Sequence, residues 1–116
     1  MVDVGRVYDA DAHGRRLLVD RLWPRGVRRD DPRVDEWLPQ VAPSTALRRW
    51  YGHRAEAYDE FATRYADELA DGPGASALTR LREVVAEGPA TLLTATREVD
   101  LSHVTVLRRL LDGPEV

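Results

Sequence analysis

Two short apolar runs toward opposite ends of the chain, Leu17-Leu18-Val19 and Leu92-Leu93, limit the fold more than any other feature. A strand with apolar neighbours in succession has both faces covered, and such strands belong to α/β sheets with a layer on each side. Residues 16–21 and 91–95 therefore read as strands. Residues 4–8 read as another, linked to the second by Asp9-Ala10-Asp11-Ala12-His13-Gly14. That turn-rich link is short for a parallel crossover, so the first two strands are expected to pair antiparallel.

Between the apolar runs the period changes to that of helices. Asp31-Pro32 offers an N-cap and first helical residue, with Val34, Trp37 and Leu38 on one face until Pro39. Ser44 caps a second helix carrying Leu47, Trp50 and Tyr51 and ended by Gly52. Tyr58, Phe61, Tyr65 and Leu69 form a stripe on a helix over residues 55–70, with Glu56, Asp59 and Glu60 at its positive end and Asp71-Gly72-Pro73-Gly74 as its stop. Ser76 opens a helix that buries Leu78, Leu81, Val84 and Val85 before Gly88-Pro89. Val104, Leu107 and Leu111 place the last helix between Ser102 and Asp112, ahead of Gly113-Pro114. The expected fold is a single α/β domain over residues 1–116, a small three-stranded mixed sheet (N-terminal hairpin plus a later parallel strand) covered by about five helices.

Composition narrows the functional classes. A chain of 116 residues, 43% hydrophobic and 32% charged, has material for one core and too little bias for disorder. It contains no cysteine, which removes disulfides, thiol nucleophiles and cysteine-bound zinc. With no signal-peptide pattern and no apolar run of about 18 residues, the expected location is the cytoplasm and no membrane partner is expected. The net charge of -3 opposes indiscriminate binding to nucleic acid. Charge is nonetheless uneven: residues 1–54 carry 11 Arg against 8 acidic residues, and residues 55–116 carry 6 Arg against 12.

If the second and last strands run parallel, their C-terminal ends open on one edge, where ligands of such sheets bind. Asp20, Arg21 and the Leu22-to-Gly26 loop leave one strand there, and Thr94, Thr96 and Arg97 leave the other. Ser102 and His103 begin the last helix nearby, whose first amide groups suit an anion. Arg21 and Arg25 can clamp a phosphate or carboxylate in bidentate fashion, and Gly26 allows close backbone approach. The competing reading pairs Asp20 and Arg21 with neighbours and makes Ser102 an ordinary cap. Arg48, Arg49, Trp50, Tyr51 and His53 suggest a second basic and aromatic surface, against which stands a short helix anchored by its rings with solvated arginines. If the chain is an enzyme, His103 is the acid-base candidate and Asp20 the group that orients it or an attacking water. His13, His53 and His103 have no metal-ligand spacing; neither a metal nor a cofactor is expected.

Arg6-Val7-Tyr8-Asp9, the block Leu18-Val19-Asp20-Arg21-Leu22-Trp23-Pro24-Arg25-Gly26, and Pro43-Ser44 with Leu47-Arg48 and His53 resemble the YeaO-like bacterial proteins, a branch of domain of unknown function 488. Phe61, Arg64-Tyr65, Glu68-Leu69, Thr91-Leu92-Leu93, His103 and Val106-Leu107 extend the resemblance over nearly the whole chain. It implies a family without a reaction, and signature positions at Asp20, Arg21, Trp23, Pro24, Arg25, Gly26, Ser44, Arg48, His53 and His103. Thr94, Ser102 and Val104 depart from the family pattern, which has an aromatic, Asn and Ala there. Roles of those three side chains do not carry over.

Together these readings favour a small anionic ligand, phosphate-bearing or nucleotide-like, at the C-terminal sheet edge, with Arg21, Trp23, Arg25, Gly26, Ser44, Arg48, His53, Thr94 and Ser102 as its candidate contacts. Two alternatives belong to other classes. One is a nucleic-acid accessory domain using Arg25, Arg28, Arg29, Arg48 and Arg49 on phosphates. The other is a ligand-free protein-interaction module with Trp23 or Trp37 on an apolar patch.

Overall fold

Alternation along the central strand organises the molecule: Leu92 points to one core and Leu93 to another, just as Leu17 and Val19 point away from Leu18. The computed structural model describes residues 2–9 and 12–112. Among these, the strands are β1 (Asp3–Arg6), β2 (Arg15–Leu18), β3 (Glu36–Trp37) and β4 (Ala90–Thr94). The α-helices are α1 (Thr45–Tyr51), α2 (Tyr58–Glu68), α3 (Gly72–Ala86) and α4 (His103–Asp112). Gly113 and Pro114, expected to follow the last helix, lie outside the described residues.

The sheet has four strands in the order β1-β4-β2-β3, all parallel, and so replaces the expected three-stranded mixed sheet under about five helices. The N-terminal hairpin is not formed; β4 lies between β1 and β2 and pairs with both. Strand length explains why the short link suffices. Arg6 is level with Thr94 and Arg15 with Ala90. The chain therefore returns about 13 Å along β4 and about 9.5 Å across it. Nine residues can reach about 30 Å. On the way, His13 N-H donates to Thr91 Oγ1 at 2.9 Å and Thr91 Oγ1 donates to His13 O at 2.8 Å. Gly14 follows at φ +67°, and a Cβ there would sit 2.1 Å from Pro89 O. Only glycine fits both the left-handed backbone and that approach.

The helix expected at Asp31–Leu38 is also absent. Asp31 Oδ1 accepts from Arg33 N at 2.9 Å, and Val34 N donates to Asp31 O at 3.2 Å, so one turn does form. Asp35 N then donates to Arg16 O and Leu38 N to Leu18 O, which draws the segment into the sheet as β3. Pro39 already biases Leu38 toward an extended backbone. At Asp71-Gly72-Pro73-Gly74 the chain both leaves α2 and enters α3: Gly72 turns it with φ +64°, and Asp71, in place of Ser76, occupies the N-cap position.

All four helices pack on one sheet face. Leu17, Val19 and Leu92 meet Leu47, Phe61, Tyr65, Leu81, Val84, Val104 and Leu107 there. The other face holds a thinner cluster of Val7, Leu18 and Leu93 with Trp23, Val34 and Trp37 from loops and the edge strand. No helix among the described residues is long and apolar enough to cross a membrane.

Candidate functional site

Because β2 and β4 are parallel, Val19 N bonds to Leu93 O and the two chains leave the sheet side by side. The next residues form the wall of a cleft of about 920 Å³. Asp20, Arg21, Trp23, Arg25, Arg48, His53, Ser102 and His103 all border it, as does Pro24.

Three candidate contacts do not border it. Thr94 is fully buried and donates to Asp20 Oδ1 at 2.7 Å. Ser44 accepts from Leu47 N at 3.1 Å as the cap of α1 and donates to Glu68 Oε2, while its own N-H bonds Glu68 Oε1. Gly26 takes φ +77° at the turn after Arg25 and helps to shape the loop from outside the lining.

At the floor, Asp20 is held by Thr94 Oγ1 and by Ala95 N at 2.8 Å. His103 Nε2 lies 2.9 Å from Val19 O and 3.3 Å from Asp20 Oδ1. A carbonyl only accepts, so Nε2 carries a proton in this arrangement. Nδ1 has no hydrogen-bond partner among the described residues, and no buried side-chain nitrogen or oxygen there is unpartnered. Burial pushes the Asp20 carboxyl upward; the hydrogen bond and charge of His103, with the Ala95 and Thr94 donors, outweigh it and hold the group below its ordinary value.

Arg21 is half-buried and donates Nε to Pro43 O at 3.2 Å and Nη2 to Ala42 O at 2.9 Å. It thus ties the β2 exit to the segment preceding α1, while about three of its five N-H donors have no partner among the described residues. Arg25 is exposed and its side chain makes no hydrogen bond or ion pair among the described residues. Arg48 is exposed on the last turn of α1. His53 adopts φ 59°, the one positive value outside glycine among the described residues. A left-handed residue at a cleft mouth is backbone strain at a candidate site. Ser102 Oγ accepts from Val104 N at 3.3 Å, so that α4 amide is already satisfied.

Tyr8, Leu22, Arg49 and Arg97 also line the cleft; the sequence placed Leu22 in the loop at this edge but gave no sign of Tyr8. Tyr8 follows β1; an antiparallel β1 would have sent it to the far end of the sheet. The signal that finds it is the parallel direction of β1, which pairing with β4 alone establishes.

No solved structure matches the chain. A family model described as "Inactive DUF488-N3 subclade" matches residues 1–114. The chain is 51% identical over 114 residues to the uncharacterized protein Rv3073c of Mycobacterium tuberculosis, covering 97% of this chain and 94% of that protein. It is 38% identical over 104 residues to the uncharacterized protein YeaO of Escherichia coli, covering 88% of this chain and 89% of that one. With the Asp20-to-Gly26 block wrapped around the cleft and these matches spanning the molecule, the chain belongs to the DUF488 family, in its YeaO-like branch.

Proposed function

We propose that the chain binds a small anionic ligand, of the phosphate-bearing kind, in the cleft at the C-terminal edge of its sheet. One observation carries this reading. Arg21, Arg25, Arg48, Arg49 and Arg97 border one cleft against only two carboxylates, Asp20 and Glu98, in a protein whose net charge is -3. Like charges gathered against the overall balance repel one another unless a counter-ion is shared among them. Arg25 and Arg48 are the direct clamps; Arg21 positions the loop they depend on.

Binding without turnover is favoured by the matching family model's description as an inactive subclade. Recruitment of the arginines by a polynucleotide is less well supported. Arg28 pairs with Asp30 at 3.4 Å, and the Arg29 guanidinium lies 5.1 and 4.9 Å from the Trp23 and Trp37 ring centroids.

The test is thermal unfolding at constant ionic strength with inorganic phosphate, pyrophosphate and sulfate, on the wild type and on the R25Q/R48Q double variant. A ligand at a hundred times its dissociation constant stabilises by about 2.7 kcal/mol. The wild type should shift and the double variant should not. A wild type indifferent to every anion would remove the proposal. Binding that needs a long oligonucleotide and weakens steeply with salt would replace it with the nucleic-acid role.

A further inference from the structure

Exposed large apolar side chains are scarce on this molecule. Among the described residues they are Tyr8, 40% exposed, and Leu22, 69% exposed, and both border the cationic cleft. The Trp23 indole borders it too. A single exposed leucine is ordinary surface, but a tyrosine, a leucine and a tryptophan around one cluster of arginines give the cleft an apolar wall.

That wall is held in place before any ligand arrives. Tyr8 Oη donates to Arg25 O at 2.9 Å, and the Arg6 guanidinium lies 5.1 Å from the Tyr8 ring centroid. Trp23 Nε1 donates to Val27 O at 2.6 Å, and the Trp37 ring meets the indole edge-on at 5.4 Å between centroids. Rings fixed at two points lose little further freedom when a planar group docks, so contact with them is offset less by ordering cost.

Resting on the anion-binding reading, we infer that the ligand is a nucleoside monophosphate, its base against Tyr8, Leu22 and Trp23 and its phosphate on Arg25 and Arg48. An inorganic anion or a sugar phosphate uses the arginines and leaves the apolar wall wet. A base linked to a phosphate uses both. A cleft of about 920 Å³ is within the range that encloses a molecule of that size.

The experiment is calorimetric titration at fixed ionic strength with inorganic phosphate, ribose 5-phosphate and each of the common ribonucleoside 5′-monophosphates. At least one nucleotide should bind about tenfold more tightly than ribose 5-phosphate, the gain that stacking and apolar contact supply. Leu22→Ser, a change at an exposed position that does not enter the core, should weaken that nucleotide by about fivefold and leave ribose 5-phosphate within about twofold of wild type. Nucleotides and ribose 5-phosphate binding alike would overturn the base-binding wall while leaving the anion site. No binding by any phosphate compound would overturn both.

Discussion

Replacing Asp20 by Asn keeps the shape of the side chain and removes its charge and one of its acceptor oxygens. In the native protein Oδ1 takes the Thr94 hydroxyl at 2.7 Å, Oδ2 takes the Ala95 amide at 2.8 Å, and the side chain is 15% exposed. An asparagine can face its oxygen to the Ala95 amide. Its NH2 then meets the Thr94 hydroxyl and the His103 Nε2-H, which are donors toward that point. Thr94 Oγ1 already accepts from Thr96 N at 3.1 Å, so its freed proton has no ready acceptor there. A buried donor without an acceptor costs about 1–3 kcal/mol, and exchanging a charged for a neutral acceptor at Ala95 costs about 1 kcal/mol more. The expected loss is about 2–4 kcal/mol, equivalent to a fall in Tm of roughly 8–16 °C for a domain of this size. Urea unfolding followed by tryptophan fluorescence measures it. Thr94→Val in the Asp20→Asn background should then cost much less than in the wild type, with a coupling of about 1 kcal/mol or more.

The pH dependence has a definite sign. The Asp20 carboxyl is held below its ordinary value in the fold, so its contribution is present above the unfolded value of about 3.9 and disappears as pH falls through the lower folded value. The gap between wild type and Asp20→Asn should therefore narrow below about pH 4. A variant within about 0.5 kcal/mol of wild type at pH 7 would refute the reasoning, because it would mean that Thr94 and Ala95 find other partners at no cost.

Further outcomes follow from single contacts. Gly14→Ala should destabilise by about 2 kcal/mol or more in the same urea assay, since its Cβ would be 2.1 Å from Pro89 O at φ +67°; a neutral result would show that β1 does not reach β2 past that point. The Asp31 carboxyl should titrate near about 2, lowered chiefly by the Arg33 side-chain hydrogen bond, and Arg33→Ala should return its NMR midpoint toward the ordinary value. An unchanged midpoint in that variant would count against the Arg33 contact. Arg21→Gln should weaken anion binding less than the R25Q/R48Q pair does, but should lower stability by about 1–2 kcal/mol through loss of the Ala42 and Pro43 contacts.

Elements whose signals are local were legible. Ser44, Leu47 and Gly52 specify α1 within one turn of themselves, as cap, anchor and left-handed stop. The aromatic stripe of α2 and the strands around Leu17 and Leu92 were equally plain, because burial periodicity is written along the segment itself. Asp31-Pro32 shows the limit: its turn formed, but hydrogen bonds to Arg16 and Leu18 decided what came after it. No residue between 31 and 38 encodes the partner strand.

The sequence by itself determined which segments are strands or helices over most of the chain, and that Asp20, Arg21 and Arg25 follow directly on the second strand. Those properties depend on neighbours within a few residues. Tertiary structure alone decided that β1 runs parallel on the far side of β4, which carries Tyr8 to the same cleft, and that Thr94 is buried beneath Asp20. Strand direction is set by pairing energy summed across the sheet, between residues distant along the chain, and local residue pattern carries no term for it.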